Sequence, residues 1–164
     1  MRNLTRLMLA LLIGAIPASA LAEVKVNFVN PEKFTDASFP GGRDRERTLG
    51  QIEKVFQNLG EQHLPAGHTL TIDVLDVDLA GWFQPWSFQN YEVRFVRDFT
   101  WPRMKLRYSL EGAGQEPLRG EETISDRTFL MYPNPVSTNL PLRHEKPMME
   151  RWFVSRIVKQ NPAP

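Results

Sequence analysis

Two hydrophobic rhythms succeed one another along this chain. Val24, Val26 and Phe28 recur at every second position, which predicts a strand that Asn30-Pro31 ends. From Thr48 to Leu59 the period lengthens. Leu49, Ile52, Val55, Phe56 and Leu59 form one stripe of an amphipathic helix, with Thr48 and Gln51 spaced as a capping box and Gly60 and Pro65 near its end. His68 to Leu79 returns to period two, but the alternation slips between Val74 and Leu75. A bulge there puts Ile72, Val74, Val77 and Leu79 on one side; a strand buried on both faces would give a similar run. Tyr91 to Arg97 alternates with Tyr91, Val93 and Phe95 on one face. After Pro102 the parity changes, and Met104, Leu106, Tyr108 and Leu110 face inward, as a bend or bulge at Trp101-Pro102 would produce. Gly112 to Gln115 reads as a hairpin loop and Leu118 to Ile124 as a further strand. Asp126 to Lys146 is irregular, with Pro133, Pro135 and Pro141, and predicts an ordered surface loop packed by Phe129, Leu130 and Tyr132. Pro147 suits a helix first turn, and Met148, Met149, Trp152, Phe153 and Ile157 stripe the closing helix. The resulting order, β-α-β-β-β-β-α, predicts an α+β two-layer sandwich: a mainly antiparallel sheet with helices on one face.

Upstream of this pattern, Met1 to Ala22 has a different character. Arg2 and Arg6 precede an apolar run from Leu7 to Ile16, and small residues follow at Ala18, Ser19, Ala20 and Ala22. That is the layout of a cleavable secretory signal, cut after Ala20 or Ala22. The run falls short of the roughly 20 apolar residues a bilayer-spanning helix needs, and no later segment is long and apolar enough to cross a membrane. A periplasmic protein, or alternatively a secreted one, is expected. The 164-residue sequence contains no cysteine, so neither disulfides nor a thioether lipid anchor is available. Residues 23–160 suit a single domain with a frayed tail at 161–164. The formal charge of +1 includes Arg2 and Arg6, so the trimmed chain is near −1, and this balance argues against a nucleic-acid partner.

Several short segments occur together in order: Val26-Asn27-Phe28-Val29-Asn30-Pro31, Asp76-Val77-Asp78-Leu79-Ala80-Gly81, Arg97-Asp98 with Thr100-Trp101-Pro102-Arg103, Leu106-Arg107-Tyr108, Gly120-Glu121-Glu122 before Ser125-Asp126, and Glu145-Lys146 before Met149 and Trp152-Phe153. In this combination the chain resembles a bacterial family, DUF3016, of exported proteobacterial proteins, across essentially all of its length after the leader. The resemblance implies a periplasmic single-domain protein and carries with it no activity, cofactor or catalytic residue.

The candidate chemistry is sparse. Asp73, Asp76 and Asp78 place three carboxylates close together, and Asp76 and Asp78 point the same way on a strand. They are weak candidates for a divalent cation, without the spacing of a calcium-binding loop; solvated carboxylates, or carboxylates paired with Arg94, Arg97, Arg103 or Arg107, are the better explanation. His63, His68 and His144 lack the spacing of a helical zinc site. There is neither a cysteine nor a G-x-S-x-G elbow. If Leu118, Gly120 and Ile124 face inward, so does Glu122, which then needs a partner or stays protonated. A Glu–Arg bridge and a functional pocket are both open for it. Trp82, Phe83, Trp86 and Phe88 crowd one loop, with Trp101 across the bend; they either close the end of the sheet or contact a ligand.

The reading these features support is a non-enzymatic binding or envelope-assembly accessory module with no cofactor. Its expected binding rim is Trp82, Trp86, Arg97, Asp98, Trp101 and Arg103, and its expected partner a periplasmic protein or an envelope glycan. A metal-assisted envelope hydrolase built on Asp76, Asp78, Glu122 and Asp126 is the alternative, which requires those carboxylates to converge. A purely structural, stress-related envelope protein is the third reading.

Overall fold

The computed structural model describes residues 21–36, 43–83, 94–112, 114–131 and 142–159. β1 (Glu23–Phe28) leads through a single 3₁₀ turn (Pro31–Lys33) to α1 (Arg43–His63) and then to β2 (Thr69–Asp78). β1 and β2 pair in parallel, Glu23 opposite Thr69 through Phe28 opposite Val74. Parallel neighbours need a long crossover, and α1 supplies it. β5 (Arg103–Glu111) pairs antiparallel with β2, and β6 (Leu118–Ser125) with β5, giving the sheet order β1-β2-β5-β6. α2 (Glu145–Trp152) runs directly into a π-helical segment (Phe153–Val158). The architecture is the α+β sandwich, with a four-stranded, mostly antiparallel sheet and two helices.

The inward positions are those with the right parity. Leu70, Ile72, Val74 and Val77 on β2 and Met104, Leu106, Tyr108 and Leu110 on β5 are buried, while their neighbours face solvent. The register shifts between Val74 and Asp76, so Leu75 is the extra residue of a bulge, and the inward parity is kept through Val77 to Leu79. Ile52, Phe56 and Leu59 of α1 and Met148, Met149, Trp152, Phe153 and Ile157 of the C-terminal helix complete the core. Trp152 stands edge-on to both Phe56 and Tyr108, at 5.9 and 5.5 Å between centroids, which ties the two helices to the sheet.

Three expectations change. First, α1 starts at Arg43, so Thr48 and Gln51 lie inside the helix rather than capping it. The added turn is Arg43-Asp44-Arg45-Glu46-Arg47, which has no apolar residue and therefore no stripe, but is rich in good helix formers. Gly60 is also internal; a Cβ there would sit 2.1 Å from Val24 Cγ2, so its bareness lets α1 lie close on β1. Second, the strand expected over Tyr91–Arg97 is not part of the main sheet among the described residues. Arg94–Phe95 (β4) pairs with Trp82–Phe83 (β3) in a separate two-stranded ribbon, and Tyr91 to Val93 lie outside the described residues. Third, Leu130 does not pack inward with Phe129. Phe129 is buried, whereas Leu130 is about half exposed; Tyr132 lies outside the described residues.

Candidate functional site

At the end of β2 the chain leaves the sheet through Leu79-Ala80-Gly81. Its backbone polar groups lose their ladder partners there and must find others. Three charged side chains supply them. Asp36 accepts from Leu79 N at 2.5 Å, and Glu145 Oε1 accepts from Ala80 N at 2.8 Å. Arg94 donates from Nε to Ala80 O (2.7 Å) and from Nη2 to Leu79 O and Gly81 O (both 2.9 Å), and it pairs with Asp36 at 2.5 Å. Gly81 has φ +87°, and a Cβ on it would lie 2.6 Å from Phe95 O. Glycine thus permits both the left-handed turn and the closure of the ribbon.

This hub is electrostatically tense. Burial pushes the Asp36 carboxyl above its ordinary value, against the opposing charge and hydrogen bonds of Arg94. Burial likewise raises Glu145, which is 5% exposed, against the N–H groups of Ala80, His144 and Glu145 itself and the charge of Arg94. A cavity of about 600 Å³ adjoins the hub, in the size range of small-molecule sites. Thr48 and Gln51 face it from α1, Val96 and Leu130 from the turns, and Leu142 and His144 from the approach to α2. Burial, then the charge of Arg143, lowers His144, so its imidazole is neutral near pH 7; it stands edge-on to Phe129 at 5.0 Å, and its Nδ1 has no hydrogen-bond partner among the described residues. Leu142 holds φ +55°, a left-handed conformation that costs a non-glycine residue about 1 kcal/mol or more.

Aromatic side chains border the same end. Gly81 N donates to Thr100 O at 3.0 Å, which brings the ribbon against the 97–100 turn. There Trp82 stacks on Phe99, 5.7 Å between centroids and 29° between planes, while Phe99 is 65% exposed. Thr100 closes the turn by accepting from Arg97 N (2.9 Å) and donating to Arg97 O (2.8 Å), leaving the side chains of Arg97 and Asp98 exposed. The guanidinium of Arg127 lies 5.0 Å over Trp101.

Of the expected rim, Trp82, Arg97, Asp98 and Trp101 therefore share one end of the sheet. Arg103 opens β5 on the solvent face and pairs with Asp78; Trp86 lies outside the described residues. The carboxylates disperse. Asp73 accepts from Asn27 Nδ2, Asp76 caps Thr35 through its N and Oγ1, and Asp126 holds Thr128 and Arg151. Glu122 does face inward, half-buried, where it takes Arg156 in a two-pronged pair (both 3.0 Å) and Trp152 Nε1 (3.0 Å). Burial raises it, but the hydrogen bonds of Arg156, Trp152 and Tyr108 and the charge of Arg156 outweigh that and hold it below its ordinary value. The Glu–Arg bridge is thus present, with its arginine on the closing helix. Among the described residues no three His, Asp or Glu side chains converge on a point that could hold a metal ion, so Asp76, Asp78, Glu122 and Asp126 lack the convergence a carboxylate–metal hydrolase requires.

Sequence reasoning missed Asp36, Arg94 and Glu145 as a unit. Arg94 sits on the polar side of an alternating run, where it reads as a partner for the carboxylates of the neighbouring strand, and nothing in the spacing links it to residues 58 positions before and 51 after. Among the described residues no helix is long and apolar enough to cross a membrane. Comparison with curated proteins and with solved structures finds no match. A family model matches residues 22–155, most of the chain: this protein belongs to the family described as "Protein of unknown function (DUF3016)".

Proposed function

We propose that this chain is an exported, non-enzymatic binding or envelope-assembly accessory module of the periplasm, trimmed after Ala20 or Ala22. Its binding end is the ribbon and the 97–101 turn. One observation carries the reading: Phe99 stays 65% exposed while stacked on Trp82. A large aromatic face held rigid in water gains most when a partner covers it, because little side-chain entropy remains to be lost. Leu130 and Met131, 49% and 78% exposed, add further apolar area on a neighbouring turn. The partner classes that fit are a periplasmic protein and an envelope glycan, since aromatic faces stack on sugar rings as readily as on side chains.

The test compares the native chain with a Trp82→Ala/Phe99→Ala variant whose circular dichroism and melting midpoint show it folded. Each is incubated with periplasmic extract and, separately, with purified cell-wall glycan. The proposal expects the variant to lose a partner that the native chain retains; equal retention by both counts against it. The N-terminal mass of native material from the periplasmic fraction checks export, which requires a start at Leu21 or Glu23.

A second reading, a structural envelope protein without a ligand, draws on the hub of Asp36, Arg94 and Glu145, whose polar atoms bond the protein's own backbone. On that reading the hub exists to anchor the ribbon, and the aromatic variant behaves as the native chain in both assays.

A further inference from the structure

The geometry points to a second, separate recognition surface: we propose that the slot between β6 and the C-terminal helix accepts an extended peptide of a partner protein, added as a strand to β6 and bearing an acidic side chain toward Lys159. This does not rest on the aromatic end of the molecule.

Among the described residues β6 is an edge strand, paired on one side only, with β5. Which of its backbone groups are free follows from one bond. Asp126 N donates to Pro102 O, which extends the β5–β6 register by one pair and marks it as hydrogen-bonded. Hydrogen-bonded and non-bonded pairs alternate in an antiparallel ladder. The inward residues Gly120, Glu122 and Ile124 therefore spend their backbone groups on β5. The N–H and C=O groups of Arg119, Glu121, Thr123 and Ser125 point away from it, at the open edge. Such a row is a template for another strand.

The space beside this edge already has the right form. A groove of about 710 Å³ is lined by Glu122, Thr123, Ile124 and Ser125. Four consecutive residues include both faces of the strand, so they share one groove only along its edge. Met148, Trp152 and Val154 form the opposite wall. An edge strand facing a helix across a slot is the arrangement in which peptide-binding domains take an added strand, with the backbone supplying affinity and pockets for alternate side chains supplying selection. The slot is preformed, because Trp152 and Arg156 both bond Glu122 and fix the spacing of helix and strand. An inward charge on an edge strand commonly repels an incoming neighbour. Here Arg156 neutralises it.

Charge selects the occupant. Glu150 pairs with Lys146 and Arg151 with Asp126. Lys159, at the far end of the groove, is exposed and its side chain has no partner among the described residues. The slot thus presents one uncompensated ammonium beside apolar Ile124, Met148 and Val154. That combination suits an extended segment with apolar side chains at alternate positions and a carboxylate at the Lys159 end.

Random linear peptides displayed on phage are selected on the purified protein, and the recovered sequences are synthesised and titrated by fluorescence anisotropy. Three results are expected. N-methylation of alternate peptide amides weakens binding about tenfold or more, while the intervening ones tolerate it. The amide protons of Thr123 and Ser125 slow in hydrogen exchange on binding. Lys159→Glu weakens acid-bearing peptides about tenfold. A Thr123→Pro variant removes one outward donor without breaking a β5 bond and abolishes binding; should it misfold, the N-methyl series decides on the unaltered protein. Failure to select any peptide, indifference to N-methylation at every position, or exchange protection confined to residues 82–101 overturns the proposal. Because the Trp82→Ala/Phe99→Ala variant keeps the slot intact, peptide binding by that variant separates this proposal from the fate of the aromatic end.

Discussion

Arg94 donates to three successive carbonyls and to Asp36, a task that needs the planar fork of a guanidinium. Lysine offers a point charge and cannot span those acceptors. Arg94→Lys is expected to cost about 2–4 kcal/mol, because it leaves the carbonyls of three buried residues and the half-buried Asp36 carboxylate short of donors. Urea unfolding of the two proteins measures it, with the loss appearing in the midpoint. Glu122 is the residue whose pH behaviour is open to test. Its folded-state pKa lies below the ordinary value of about 4.3, so the native chain resists protonation more than the unfolded chain does. Its contribution is complete above that ordinary value and fades as pH falls through the lower, folded one. Glu122→Gln should therefore flatten the acid limb of the melting midpoint below about pH 5, while lowering the midpoint at neutral pH. An unchanged acid slope would show that other carboxylates dominate it.

At the scale of elements, glycine positions report how closely the layers approach. Gly60 lies inside α1, where alanine should gain about 1 kcal/mol of helix propensity. Its Cβ would meet Val24 Cγ2 at 2.1 Å, and overpacking of that kind costs about 1–3 kcal/mol. The packing penalty wins: Gly60→Ala is expected to destabilise, and the double variant Gly60→Ala/Val24→Ala to recover most of the loss, by thermal melting. Gly50, where a Cβ would meet nothing within 4 Å, is the internal control and should gain from the same substitution. The stripe of α1 was legible because Ile52, Phe56 and Leu59 all face the sheet. Its first turn was not, because five polar residues in a row leave no periodic trace. The ribbon was legible only as alternation. Whether Arg94 and Phe95 join the main sheet or pair with Trp82 and Phe83 depends on contacts with Asp36 and Glu145, far away in sequence.

Across the whole molecule, one sheet face is packed and the other is wet. On the wet face, Asp73 meets Arg107 at 3.8 Å and Lys105 meets Glu121 at 2.9 Å, all largely solvated. Exposed pairs of this kind contribute about 0–1 kcal/mol. Arg107→Ala should accordingly shift stability by less than about 1 kcal/mol, far less than Arg94→Lys, although both remove a guanidinium from a carboxylate. A comparison of the two by chemical denaturation checks this contrast between wet and packed faces.

What the sequence determined by itself is the set of local rhythms: the alternation of the main strands, the helical stripes, the slip in period at Leu75 and the shared parity of Gly120, Glu122 and Ile124. Each follows from side chains a few positions apart that must share one face, so a short window suffices to read it. What only the tertiary structure decided is which distant residues meet. The parallel β1–β2 pair, the hub of Asp36, Arg94 and Glu145, the arginine that answers Glu122 and the slot beside β6 all join segments tens of residues apart. Their pairing is set by competition among many possible burials and hydrogen bonds, and no periodicity along the chain records the outcome.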